Sequence, residues 1–285
     1  MNKQTLLILT AGIVIGILIG TISAASSNLY FNKPQQEKVI VVFAGAAAAP
    51  VYREAATMFE SKYGVKVELR LGGSGSLLSA MEIAKTGDVY IPGSPEYIQK
   101  AIKLGIVEPD YVKKMAYLVP AIIVQKGNPK NISSLEDLAK PGISVGIADP
   151  ESVCVGLYAK ELLEKNGLWE EVKKNIVVYA QSCEATASLI PTRSVDAIIG
   201  WHVFKAWYPD KADIVWIEPS KIPKIGYIAG GVSTFSKEKE LAEKFLEFLQ
   251  SEEMADIWGK YGYYSSVQEA MIHAPNAEIE DIEAD

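Results

Sequence analysis

The chain has 285 residues, 49% of them hydrophobic and 22% charged, which is enough apolar mass for a globular body of two lobes and is not the make-up of a disordered one. Its net charge is −7, but Glu278, Glu280, Asp281, Glu283 and Asp285 all lie in the last eight residues, so the rest carries −2. That near-neutral body has no basic stripe, which excludes nucleic acid as a partner.

At the N-terminus Lys3 precedes an uncharged apolar run from Leu6 to Ile22, followed by Ser23, Ala24, Ala25, Ser26 and Ser27. Residues 1–25 read as a secretory signal or a membrane anchor, and 26–37 as a flexible linker. The body is therefore expected outside the cytoplasmic membrane, secreted or anchored.

From Lys38 onward, short apolar strands alternate with amphipathic helices, the pattern of an α/β fold with parallel sheets. Val39–Phe43 reads as a strand, 44–49 as a small-residue turn, and Pro50 as the first turn of a helix ending at Tyr63-Gly64. The alternating run Val65–Leu71 is a second strand, and Asp88–Ile91 a third, with a helix after Ser76 between them and another over 96–104. Val119–Gln125 opens a second set of elements. A Ser133/Glu136 capping box, strands over 143–148, 176–179 and 195–199, and helices over 157–165 and 184–190 follow. Residues 213–217 are expected to carry the chain back, before a strand over 227–234 and helices over 237–249 and 252–261. This gives one lobe from 38–118 with 218–266, a second from 119–217, and a solvated acidic tail from 267–285.

Between the second strand and its helix lies Leu71-Gly72-Gly73-Ser74-Gly75-Ser76-Leu77. A strand, a glycine-rich turn and a helix start present backbone N–H groups, the hydroxyls of Ser74 and Ser76, and the positive end of a helix dipole in one direction. Such a device holds an anion by neutral dipoles. No lysine follows, so it is not a Walker loop, and the spacing is not the dinucleotide fingerprint. A plain turn capped by Ser74 or Ser76 is the other reading.

Val41-Val42-Phe43-Ala44, the Gly-Ser-Gly-Ser-Leu segment and Asp88-Val89-Tyr90-Ile91 resemble the first lobe of the molybdate/tungstate-binding proteins of ABC importers. Ala148-Asp149-Pro150-Glu151 entering Gly156-Leu157-Tyr158-Ala159-Lys160-Glu161, and the ending Trp258-Gly259-Lys260-Tyr261-Gly262-Tyr263, resemble the same family. The resemblance spans roughly 38–264. It implies the type II periplasmic-binding-protein fold, two α/β lobes with a ligand cleft between them. It also implies capture of a small oxyanion, molybdate or tungstate, by a monomer that hands it to an ABC permease without a cofactor. Carried over by position, the family's first serine contact falls on Ala46-Ala47-Ala48, where no hydroxyl exists, and its second on Ser74. Backbone contacts fall at Val155 and Cys183, and a tyrosine contact at Trp201, whose indole N–H can still donate. The implied contacts are thus Ala46, Ala47, Ser74, Ser76, Val155, Cys183 and Trp201.

Cys154, Cys183 and His202 map beside that cleft and leave alternatives open. Outside the cytoplasm two cysteines favour a disulfide; the other readings are inert thiols, or two thiolates with His202, and Glu184 or Met81 in reach, as a soft-metal site for copper or zinc. A receptor for another small anion also stays open. Catalysis is not expected. The sequence holds two histidines, no His-Glu-x-x-His helix and no Gly-x-Ser-x-Gly elbow.

Overall fold

The computed structural model describes residues 38–279, 281 and 282. The signal or anchor (1–25) and the linker (26–37) lie outside the described residues. Among the described residues no helix is long and apolar enough to cross a membrane.

Two five-stranded sheets organise the chain from Val39 onward. In the first, β1 (Lys38–Gly45), β2 (Val65–Gly72), β3 (Val89–Ile91), β4 (Lys113–Leu118) and β10 (Gly226–Val232) take the order β2-β1-β3-β10-β4. In the second, β5 (Pro120–Gln125), β6 (Val145–Ala148), β7 (Ile176–Ala180), β8 (Ala197–Trp201) and β9 (Ala212–Val215) take the order β7-β6-β8-β5-β9. The sheets are mixed, not parallel as the alternation suggested. β1 and β3 run parallel, but β10 is antiparallel to β3 and β4. Likewise β6 is parallel to β7 and β8, while β5 opposes β8 and β9. In each sheet the antiparallel member is the strand that arrives from, or next to, the other lobe. Strand alternation along the sequence carries no signal for that.

The chain crosses once between β4 and β5, at Val119, and returns between β9 and β10. Residues 213–217 do not themselves carry it back, because Ala212–Val215 pairs with β5 inside the second sheet. β4 was not legible as a strand: its Lys113, Lys114 and Tyr117 lie against Gly230, Ala229 and Tyr227 of β10, and its alternation is weak.

The helices that matter for the cleft start at its walls. Helix α1 (Ala49–Tyr63) follows a 3-10 turn at Ala46–Ala48, has Pro50 in its first turn, and ends where Gly64 takes φ 64°. Helix α2 (Ser74–Ala84) begins at the glycine-rich turn, and α3 (Pro95–Lys103) begins at Ser94. In the second lobe α4 (Cys154–Lys165) follows β6, α5 is Trp169–Lys173, and α6 (Cys183–Ser188) is capped by Ser182 accepting from the Ala185 N–H at 3.1 Å. The expected Ser133/Glu136 capping box does not form; Ser133 donates through its N–H and hydroxyl to Asp137 instead. Helices α7 (Phe204–Trp207), α8 (Lys239–Leu249) and α9 (Glu252–Lys260) complete the body.

The segment after 266 differs from a solvated tail. Helix α10 (Val267–Met271) carries a capping box between Ser266 and Glu269, and Ala270, Ala274 and Ala277 are buried. Glu278 then bridges to Lys224, and Ile279 and Ile282 pack on the apolar cluster around Tyr227. Acid count marked this stretch as tail, but small and branched apolar residues spaced among the acids give it a buried face.

Candidate ligand cleft

One apolar cluster contains residues of both lobes: Ala46, Ala47, Val51 and Tyr52 from the first, and Val153, Cys154, Val155, Cys183 and Trp201 from the second. The lobes are therefore closed on one another at the expected cleft. The turn after β1 contributes Ala46 and Ala47, at most 1% exposed. Gly93, just past β3, lies so close that a Cβ there would stand 2.5 Å from Cys154 Sγ and 2.7 Å from Ala47 Cβ. The Ser74 hydroxyl accepts the Gly93 N–H at 3.1 Å, which leaves its own proton free to donate.

At the start of α2 the Gly75 N–H donates to the Ser152 carbonyl at 3.0 Å, so one amide of the glycine-rich turn is spent on lobe contact. A Cβ on Gly73 would meet Ser152 O at 2.8 Å, Val153 Cγ2 at 3.0 Å and Gln181 O at 3.1 Å, all atoms of the second lobe. That turn is thus glycine-rich because another chain segment presses on it.

Of the seven residues expected at the site, six come together: Ala46, Ala47, Ser74, Val155, Cys183 and Trp201 are all buried there. Ser76 does not belong. It is exposed on the outer side of α2, because a helix that turns Ser74, Leu77 and Leu78 inward must turn Ser76 outward.

Tyr52 and Ser94 are additions that sequence reasoning missed. Tyr52 sits in the first turns of α1, fully buried, and its hydroxyl has no hydrogen-bond partner. Ser94 is equally buried, and its hydroxyl is likewise unpartnered. The signal for Tyr52 was a tyrosine on an otherwise small-residue stretch next to Pro50. Nothing in sequence separates Ser94 from an ordinary helix-cap serine.

The cluster is neutral. Burial, and then the neighbouring Cys154 and Cys183, push the Tyr52 phenol well above its ordinary value. Burial, then the Cys154 side chain, do the same to the Cys183 thiol, against smaller opposing pulls from the Val155 amide and the Trp201 indole. The Trp201 N–H faces that sulfur too loosely to count as hydrogen-bonded, so it too is an unpartnered buried donor. Lys224 lies 4.5 Å from the centre of the Tyr158 ring, which packs on Trp201, but its charge is held by Glu96 and Glu161.

The soft-metal alternative does not fit. His202 Nε2 donates to the Gly262 carbonyl at 2.9 Å while Nδ1 accepts the Val119 N–H at 3.1 Å, so neither ring nitrogen is available. Its ring stacks on Tyr264 at 4.4 Å, away from the thiols. Among the described residues no three of His, Cys, Asp and Glu are grouped to hold a metal. The cysteines are not joined either: both thiols are free, 4.0 Å apart.

Two α/β lobes closing over buried, uncharged donors define a receptor for a small solute. The chain belongs to the bacterial extracellular solute-binding proteins, whose family description matches residues 40–264. That family is not enzymatic and acts outside the cytoplasm. The molybdate-binding protein ModA of Escherichia coli K12 is 22% identical over 85% of this chain and 95% of its own length. The periplasmic molybdate-binding protein of Azotobacter vinelandii superposes with a TM-score of 0.69 at 17% identity, over 79% of this chain and 98% of that one. The sulfate-binding protein SubI of Mycobacterium tuberculosis H37Rv superposes with a TM-score of 0.72 at 18% identity, over 84% of this chain and 93% of that one. These two structures share the type II periplasmic-binding-protein fold with this chain.

Proposed function

We propose that the protein captures a small, fully deprotonated oxyanion of the molybdate or tungstate type between its lobes and delivers it to the permease of an ABC importer. The observation that carries this reading is the pair of buried, unpartnered groups in one neutral cluster, the Trp201 indole N–H and the Tyr52 hydroxyl. A buried donor without an acceptor costs about 1–3 kcal/mol, so a site that keeps such donors is built for a ligand that only accepts. A dehydrated oxyanion is such a ligand and a metal cation is not. The Ser74 hydroxyl proton adds a further donor from the first lobe.

Because contacts from both lobes meet only in the closed form, the anion stabilises closure by its differential affinity. Closure then presents joined lobe surfaces to the permease. The relatives named for molybdate and those named for sulfate share this fold, so both anions belong in the test. Calorimetric titration of the full chain with molybdate, tungstate, sulfate and zinc is expected to give tight binding of at least one oxyanion and none of zinc. Zinc uptake without oxyanion binding would overturn the proposal.

A further inference from the structure

We infer that Cys154 and Cys183 form a thiol–disulfide modification site inside the cleft, reached by oxidants only when the lobes part. The site rests on geometry alone; its protection by molybdate rests on the oxyanion reading above. The chain has two cysteines, so each has only the other to join. Their sulfurs lie 4.0 Å apart at neighbouring helix starts of one lobe, both about 1% exposed. What covers Cys154 is the opposite lobe: a Cβ on Gly93 would stand 2.5 Å from its sulfur, and Ala47 belongs to the same buried cluster. Opening the cleft uncovers the pair, and an extracellular family works where disulfides persist.

The oxidant is a small-molecule disulfide such as oxidised glutathione. One cysteine thiolate attacks a sulfur of that disulfide, forms a mixed disulfide and expels one thiolate. The second cysteine thiolate then attacks the mixed disulfide at the protein sulfur, the protein S–S bond forms, and the second thiolate leaves. The two electrons end on the oxidant, now two thiols, and the two cysteine protons balance the expelled thiolates.

The test treats the ligand-free full chain with oxidised glutathione or with dithiothreitol. Free thiols are counted by N-ethylmaleimide labelling and intact mass. Labelling should find no thiol after oxidation and both after reduction, with no glutathione retained on the oxidised chain. Molybdate added to the reduced protein should slow labelling, because closure covers the pair. In the Cys183→Ser variant oxidation should stop at a glutathione adduct on Cys154. Two free thiols after oxidation, or a glutathione adduct on each cysteine, overturns the inference. Labelling left unchanged by molybdate, tungstate and sulfate alike, with the disulfide still forming, removes the oxyanion reading but leaves the modification site established.

Discussion

Replacing Gly73 by alanine isolates lobe closure from folding. Gly73 has φ −68° and ψ 137°, which alanine adopts without strain. The three nearest atoms to its added Cβ, at 2.8, 3.0 and 3.1 Å, all belong to the second lobe, on Ser152, Val153 and Gln181. Two of the three are backbone carbonyl oxygens, which cannot swing aside as a side-chain end would. Relieving the contact by a few tenths of an ångström means holding the lobes slightly apart. Overpacking of this kind costs about 1–3 kcal/mol, which falls on the closed form alone and lowers ligand affinity about fivefold to about 150-fold. Calorimetry reads the affinity, and a thermal melt of the ligand-free protein should be unchanged within about 1 °C. Unchanged affinity with a normal melt would refute the reasoning, because closure over this turn would then not be coupled to binding.

Other perturbations have equally definite signs. Tyr52→Phe removes a buried unpartnered hydroxyl, so the ligand-free protein should gain about 1 kcal/mol while oxyanion affinity falls about tenfold or more; urea melts and calorimetry read the two, and a loss of stability would mean the hydroxyl is already satisfied. Burial drives the His202 imidazole down to about 4, against the opposing hydrogen bond that Nε2 donates to the Gly262 carbonyl. Because the folded value is depressed, that contribution is complete above the unfolded value of about 6.5 and is lost as pH falls toward 4, a change of about 3 kcal/mol. The His202→Gln variant should be less stable at pH 7 but lose correspondingly less between pH 7 and pH 4; parallel stability curves would contradict the assignment. Lys224, 10% exposed at its side chain, joins Glu96 of the first lobe to Glu161 of the second. Lys224→Met should cost about 3 kcal/mol by leaving carboxylates uncompensated, and adding Glu96→Gln should restore part of it in a denaturant titration.

Much of the architecture was legible because its signals are local. Apolar runs mark β1, β5 and β10, Pro50 and Gly64 punctuate α1, and the change at Val119 falls where the chain passes from the first sheet to the second. What failed depends on contacts distant in sequence. The pairing of β9 with β5, the strand β4 against β10, and the packing of Ala270, Ala274 and Ala277 are decided by partners roughly 40 to 150 residues away. The site divides in the same way. Ser74 announces itself through strand, glycines and helix start, whereas Ser76, two residues on, is excluded only by the helical rotation. His202 stayed open as a metal ligand, beside the reading of a satisfied polar residue, because nothing in sequence showed that Val119 and Gly262 would occupy both its nitrogens. Tyr52 went unnoticed because a lone tyrosine on a helix is ordinarily core, and its significance lies in a hydroxyl without a partner.

The central claim is that N–H and O–H donors hold an intact, dehydrated oxyanion without any protein atom bonding to its central atom. X-ray absorption at the molybdenum edge of the full chain loaded with molybdate measures that directly. The account predicts an undisturbed tetrahedral shell of oxygens with no sulfur scatterer. A sulfur from Cys154 or Cys183 in the first shell, or expansion to six-fold coordination, would contradict it.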